Sequence, residues 1–118
     1  MLALWMAVLP LILWFIERVL PLGVLLEESA KALVVYRAAD WKQALGLGLV
    51  FGFSETVLFM VNANLLQNMS AIFWRLLLTV PMHGITAALI VVFGKKRWWL
   101  GLALAILTHG LFNLKIAS

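Results

Sequence analysis

Glu27, Glu28 and Lys31 stand close together in Leu25-Leu26-Glu27-Glu28-Ser29-Ala30-Lys31, a stretch otherwise apolar enough to enter a bilayer. A charged side chain at mid-membrane costs about 2.5–3.5 kcal/mol on insertion scales, so such residues face other helices or a wet cavity and mark functional sites. On a helix Glu27 lies four residues and Glu28 three residues before Lys31, so the ammonium can neutralise either carboxylate and leave the other free. Glu55, His83, His109 and Asn113 are further proton-moving or hydrogen-bonding groups in apolar surroundings. Water attack on an amide needs a base, and donors aimed at a developing oxyanion gain strength in a water-poor site. A second chemistry is also open: Glu55, His83 and His109, with one of Glu27 or Glu28, offer the oxygen and nitrogen donors that suit zinc.

The elements that must hold these groups follow from composition. The chain has 118 residues, 65% hydrophobic and 12% charged, with a mean hydropathy of +1.08, outside the range of soluble domains. Its long apolar runs lack strand alternation, and lipid leaves the backbone a choice between helices and closed barrels. The expectation is an all-α, polytopic membrane helix bundle of about five transmembrane helices in a single domain, 1–118, with spans near 2–16, 19–36, 43–66, 70–93 and 98–116. The first span lacks a basic lead and a small-x-small cleavage pattern, so it reads as a mature helix followed by a polar corner at Glu17-Arg18. Gly48-x-x-x-Gly52 permits close helix approach, and Pro81 should bend the fourth span.

The formal net charge of +4 resides in short breaks, which argues for orientation in a membrane and against nucleic acid. Arg37, Lys42, Lys95, Lys96 and Arg97 fall in the breaks after spans two and four. The positive-inside rule makes that side cytoplasmic, placing the N-terminus in the cytoplasm and the C-terminus outside. Trp41, Trp98 and Trp99 then mark one interface and Trp14 and Trp74 the other, with Arg75 as an interfacial anchor. The absence of cysteine removes thiol nucleophiles, disulfides and Cys-based metal sites.

At about 1.5 Å per helical residue, Glu27, Glu28, Glu55, His83 and His109 come out roughly 13–18 Å below the cytoplasmic ends of their spans. Titratable groups on four helices thus share one layer, which predicts a common polar cavity beneath the cytoplasmic leaflet. Phe51 and Glu55 are one turn apart, as are His109 and Asn113, so each pair presents to one face. Gly84 and Gly110, each following a histidine, would admit a close neighbour, and Asn62 would extend the polar lining beyond Glu55.

Glu-Glu-x-x-Lys at 27–31, Phe-x-x-x-Glu at 51–55, a lone His at 83 and His-x-x-x-Asn at 109–113 together resemble the ordered motif set of PrsW-type intramembrane proteases, within the CAAX-protease and bacteriocin-processing (CPBP, ABI) superfamily. The wider superfamily often has His where this chain has Glu55, which favours the PrsW branch. The resemblance spans Glu27 to Asn113. It implies hydrolysis of a peptide bond in or near the membrane, with Glu27 as general base, Glu28 in support and Lys31 holding the carboxylate pair. It further implies that Glu55 and His83 orient the water and that His109 and Asn113 stabilise the oxyanion. The implied partner is a membrane protein substrate such as an anti-sigma factor, and the implied location is the cell membrane. Zinc is the only cofactor the donor set raises. Competing readings are a small proton-coupled transporter and a non-catalytic PrsW-like scaffold or immunity protein.

Overall fold

Runs of Leu, Ala, Ile and Val, broken by short polar or glycine-containing turns, leave the backbone to satisfy its own hydrogen bonds locally. The computed structural model describes residues 1–17, 19, 22–62 and 69–117, and no strand occurs among them. The Asn62 side chain and the Gln67-Asn68 break lie outside the described residues. The elements are α1 (Leu2–Glu17), α2 (Gly23–Val35), α3 (Trp41–Asn62), α4 (Met69–Trp74), a π-helical turn (Arg75–Thr79), α5 (Val80–Val92), α6 (Trp98–Phe112) and a terminal π-helical segment (Asn113–Ala117). With the π turn, α4 and α5 form one continuous rod, so the helices among the described residues make five rods. Their positions match the five expected runs, although α2 begins later than residue 19.

Two rods, Trp41–Val61 and Met69–Val92, are long and apolar enough to cross a membrane, with mean hydropathies of 1.9 and 1.7. The shorter α1 is also apolar. At the start of α3, Asp40 Oδ1 accepts from the Gln43 N–H at 2.8 Å while Gln43 Oε1 accepts from the Ala39 N–H at 2.6 Å. This reciprocal cap satisfies donors that the helix leaves free. After α5 the chain turns at Gly94, whose φ of 77° suits glycine.

The bend expected at Pro81 takes the form of the π turn. Proline has no N–H and its ring crowds the carbonyl four residues earlier; widening the preceding turn relieves both, and the Val80 N–H reaches back to Arg75 O. The turn brings Arg75 and Thr79 to the same cavity.

Helix α3 packs most extensively on α5, with α6 on the other side of α5 and α1 against α3. Close approach of α3 and α5 depends on glycine, as the Gly48/Gly52 spacing predicted. A Cβ on Gly48 would lie 2.2 Å from His83 O and 2.7 Å from the Ala87 Cβ, and one on Gly52 2.9 Å from the Val80 Cα. Gly101 plays the same part between α6 and α5, where an added Cβ would lie 2.3 Å from Leu89 O. Gly84 also has a close neighbour, Leu49. Gly110 differs from expectation, since nothing lies within 4 Å of a Cβ built there. The Ser54 hydroxyl donates to Ala7 O and ties α1 to α3. Because the obstacle at Gly48 is backbone, Gly48→Ala must push α3 and α5 apart. Its expected cost is about 1–3 kcal/mol, the usual range for overpacking, read as a lowered unfolding midpoint in detergent. An unchanged midpoint would contradict the packing described.

Candidate active site

Four rods contribute the polar centre. Glu27, Glu28 and Lys31 come from α2, Glu55 from α3, His83 and Thr86 from α5, and His109 from α6, with Asn113 just beyond it. Glu28, Lys31, His83 and Thr86 are fully buried, and His109 is 3% exposed. The His83 and His109 rings meet edge to face at a centroid distance of 5.0 Å. Phe51, also fully buried, packs against the His83 ring at 5.0 Å and under the Lys31 ammonium at 5.2 Å.

Lys31 decides how the network is wired. Three acceptors surround its Nζ: Glu28 Oε1 at 2.8 Å, Thr86 Oγ1 at 2.7 Å and His83 Nδ1 at 3.1 Å. An ammonium has three N–H groups and no acceptor, so each contact receives one. The Thr86 hydroxyl passes its own hydrogen to His83 O at 3.2 Å. Accepting at Nδ1, His83 carries its proton on Nε2 and donates to Glu55 Oε2 at 2.7 Å. Glu55 Oε2 also pairs with Arg75 Nη2 at 3.4 Å. On the other arm, Glu28 Oε1 accepts from His109 Nδ1 at 2.6 Å.

That hydrogen bond leaves His109 Nε2 facing Glu27 Oε2 at 3.5 Å. A neutral imidazole protonated at Nδ1 and an ionised carboxylate would oppose two lone pairs across this gap. A proton must therefore lie between them, or a water molecule beside the pair must donate to both. Glu28 is committed to Lys31 and His109, and Glu55 to His83 and Arg75. Glu27 is the carboxyl left least constrained, and it lines a cavity of about 470 Å³ together with Glu55, His83, His109, Asn113, Arg75 and Thr79.

The structure thus brings all seven sequence-named residues to one place: Glu27, Glu55, His83, His109 and Asn113 line the cavity, and Glu28 and Lys31 stand directly behind it. Several details differ from expectation. The cavity is also lined by Gly23 and Val24, the first residues of α2, and Asn113 follows α6. It therefore lies toward the end of the bundle away from Arg37, Lys95, Lys96 and Arg97, not beneath that basic end. Arg75 is a partner of Glu55 and stacks on the Phe59 ring at 4.8 Å, so it is no mere interfacial anchor.

Glu17, read from sequence as a polar corner, lines a smaller adjoining cavity with Glu27 and Glu55. Its position at the end of an apolar helix was the only sequence signal for it.

For a metal, the donors that converge are Glu27, His83 and His109, with one ligand atom from each lying within 4.8 Å of the others. Glu55, expected in that set, is outside this group and hydrogen-bonded to His83. The donor types suit zinc with an open fourth position, and the His109 Nδ1 bond to Glu28 is the outer-shell contact that orients a metal-binding imidazole. His83 would have to release its Nε2 proton to join them. No family model matches the chain, nor does any curated protein or solved structure.

Proposed function

We propose that this chain is a five-span integral membrane protein of the PrsW type that hydrolyses a peptide bond of a membrane-associated protein. The observation that carries the reading is the pair of Glu27 Oε2 and His109 Nε2, 3.5 Å apart and both lining one polar cavity inside an apolar bundle. A water in that cavity, beside the pair, is within reach of Glu27 as base. Glu27 takes one water proton as the oxygen attacks the carbonyl carbon. Passed across to His109 Nε2, that proton makes an imidazolium whose new N–H, with the Asn113 amide, is placed to stabilise the oxyanion. Glu28 holds the imidazole through its Nδ1 hydrogen bond. On collapse the C–N bond breaks and the same proton leaves with the amine. Glu55, held by Arg75 and His83, fixes the far wall, and Lys31 sets the orientation of both histidines.

With the basic breaks in the cytoplasm, the N-terminus is cytoplasmic, the C-terminus is outside and the cavity serves the outer half of the bilayer. The scissile bond is then expected near the outer end of a substrate span. Lining residues from one end of the bundle favour this chemistry over a transporter, which needs access from both faces. An anti-sigma factor is one candidate substrate, on the family resemblance alone.

The Glu27, His83 and His109 cluster supports a second version in which these residues hold zinc. A zinc ion would lower the barrier to water ionisation and polarise the carbonyl. Membranes carrying the wild-type chain or Glu27→Gln, compared for new protein termini, test the proposal. New termini are expected only with wild type, and identical sets would overturn hydrolysis. Elemental analysis of the purified chain separates the two versions.

A further inference from the structure

At the opposite end of the bundle from the carboxylates, residues of α2 and α6 line a groove of about 670 Å³, within the size range of small-molecule sites. Its walls come from Leu33 in the last turn of α2, Arg37 just beyond that helix, and Trp98 and Leu102, one turn apart at the start of α6. Ile90, 2% exposed, lines it as well. Leu33 is 77% exposed and Trp98 48% exposed, so the apolar wall is open to the surroundings.

Charge is distributed one way along this groove. Away from the mouth the lining is apolar except for Ser29, and the mouth carries Arg37 and Lys95 with no carboxylate among the lining residues. Lys95 is held over the Tyr36 ring, with Nζ 5.6 Å from the centroid, a contact that keeps the ammonium at the groove mouth. The nearby acid, Asp40, is occupied in capping α3 through Gln43. Tyr36 and Trp98, amphipathic rings of the kind found at headgroup level, flank the two cations.

We infer that this groove binds one anionic glycerophospholipid of the cytoplasmic leaflet, its phosphate between Arg37 and Lys95 and an acyl chain along Leu33 and Leu102. A phosphate accepts several N–H bonds from a guanidinium and an ammonium, while a zwitterionic lipid brings a cation of its own toward Lys95. The inference rests on the membrane reading above and is independent of any proteolysis. A lipid bridging α2 and α6 also braces the two helices that supply Glu27, Glu28 and His109.

Native mass spectrometry of the full chain in neutral detergent, titrated with phosphatidylglycerol or phosphatidylcholine, tests it. One phosphatidylglycerol per chain is expected to be retained, with weaker retention of phosphatidylcholine. Arg37→Gln with Lys95→Gln removes two cation contacts of the size usual at an anionic surface and should weaken phosphatidylglycerol roughly thirty-fold. Lys42→Gln, at the same end but outside the groove on Trp41, should bind as wild type. Equal retention of the two lipids, or unchanged affinity in the double variant, would overturn the site in a chain that inserts into vesicles. Recovery of the chain from the aqueous phase after reconstitution would overturn the membrane reading, and the lipid site with it.

Discussion

Replacing Glu27 with glutamine is expected to slow peptide-bond cleavage by about 10²–10⁴-fold, the usual contribution of a positioned general base, with the unfolding midpoint nearly unchanged. The two effects separate because of where Glu27 sits. Its neighbours Glu28 and Glu55 are tied into Lys31 and Arg75, whereas Glu27 faces the cavity and approaches His109 at 3.5 Å. Glutamine keeps the shape and the ability to donate toward His109 or Glu17, so the packing survives. It cannot take a proton from water. Cleavage rates on a spanning reporter in proteoliposomes, together with thermal unfolding, provide both readouts. A variant that cleaves as fast as wild type would remove Glu27 from the base position.

Lys31→Met is expected to produce the largest loss of stability, about 3–5 kcal/mol, because it leaves the Glu28 carboxylate buried without its cation. Both side chains are fully buried and the pair is 2.8 Å apart. Removing the charge as well, in Glu28→Gln with Lys31→Met, should recover part of the loss, since a buried pair replaced as a unit costs far less than a broken one. A structural role alone would end there. Lys31 also forces His83 to accept at Nδ1, so nitrogen NMR of the wild-type chain should find the His83 proton on Nε2 and that of His109 on Nδ1. In the methionine variant His83 loses this constraint. A wild-type His83 protonated at Nδ1 would contradict the wiring.

Much of this architecture is legible in the sequence because lipid-like apolarity and helical rise leave few choices. Hydrophobic runs located the five rods, and counting along them placed the acids and imidazoles in one layer. Gly48 and Gly52 announced the tightest helix contact. What the chain order hid depends on rotation and on partners distant in sequence. Either glutamate could reach Lys31; His109 Nδ1, arriving from α6, selects Glu28 and so leaves Glu27 free. Arg75 beside Trp74 reads as an anchor until the π turn ahead of Pro81 brings it to Glu55. Glu17 closes an apolar helix, and only the packing of α1 beside α2 brings it to Glu27. Depth measured from the basic breaks placed the layer but not its opening. With α2 starting at Gly23, Glu27 is barely a turn from the opposite end, and the cavity emerges there.

The proposal that separate helices assemble a water-activating centre is tested most directly by isotope. The purified chain, reconstituted with a single-span substrate in H₂¹⁸O, should release a fragment whose new carboxyl carries one ¹⁸O and whose end maps near the outer end of the span. Glu27→Gln should yield essentially none. Unlabelled product, or labelled product formed equally by both proteins, would contradict the assignment of this pocket as a hydrolytic site.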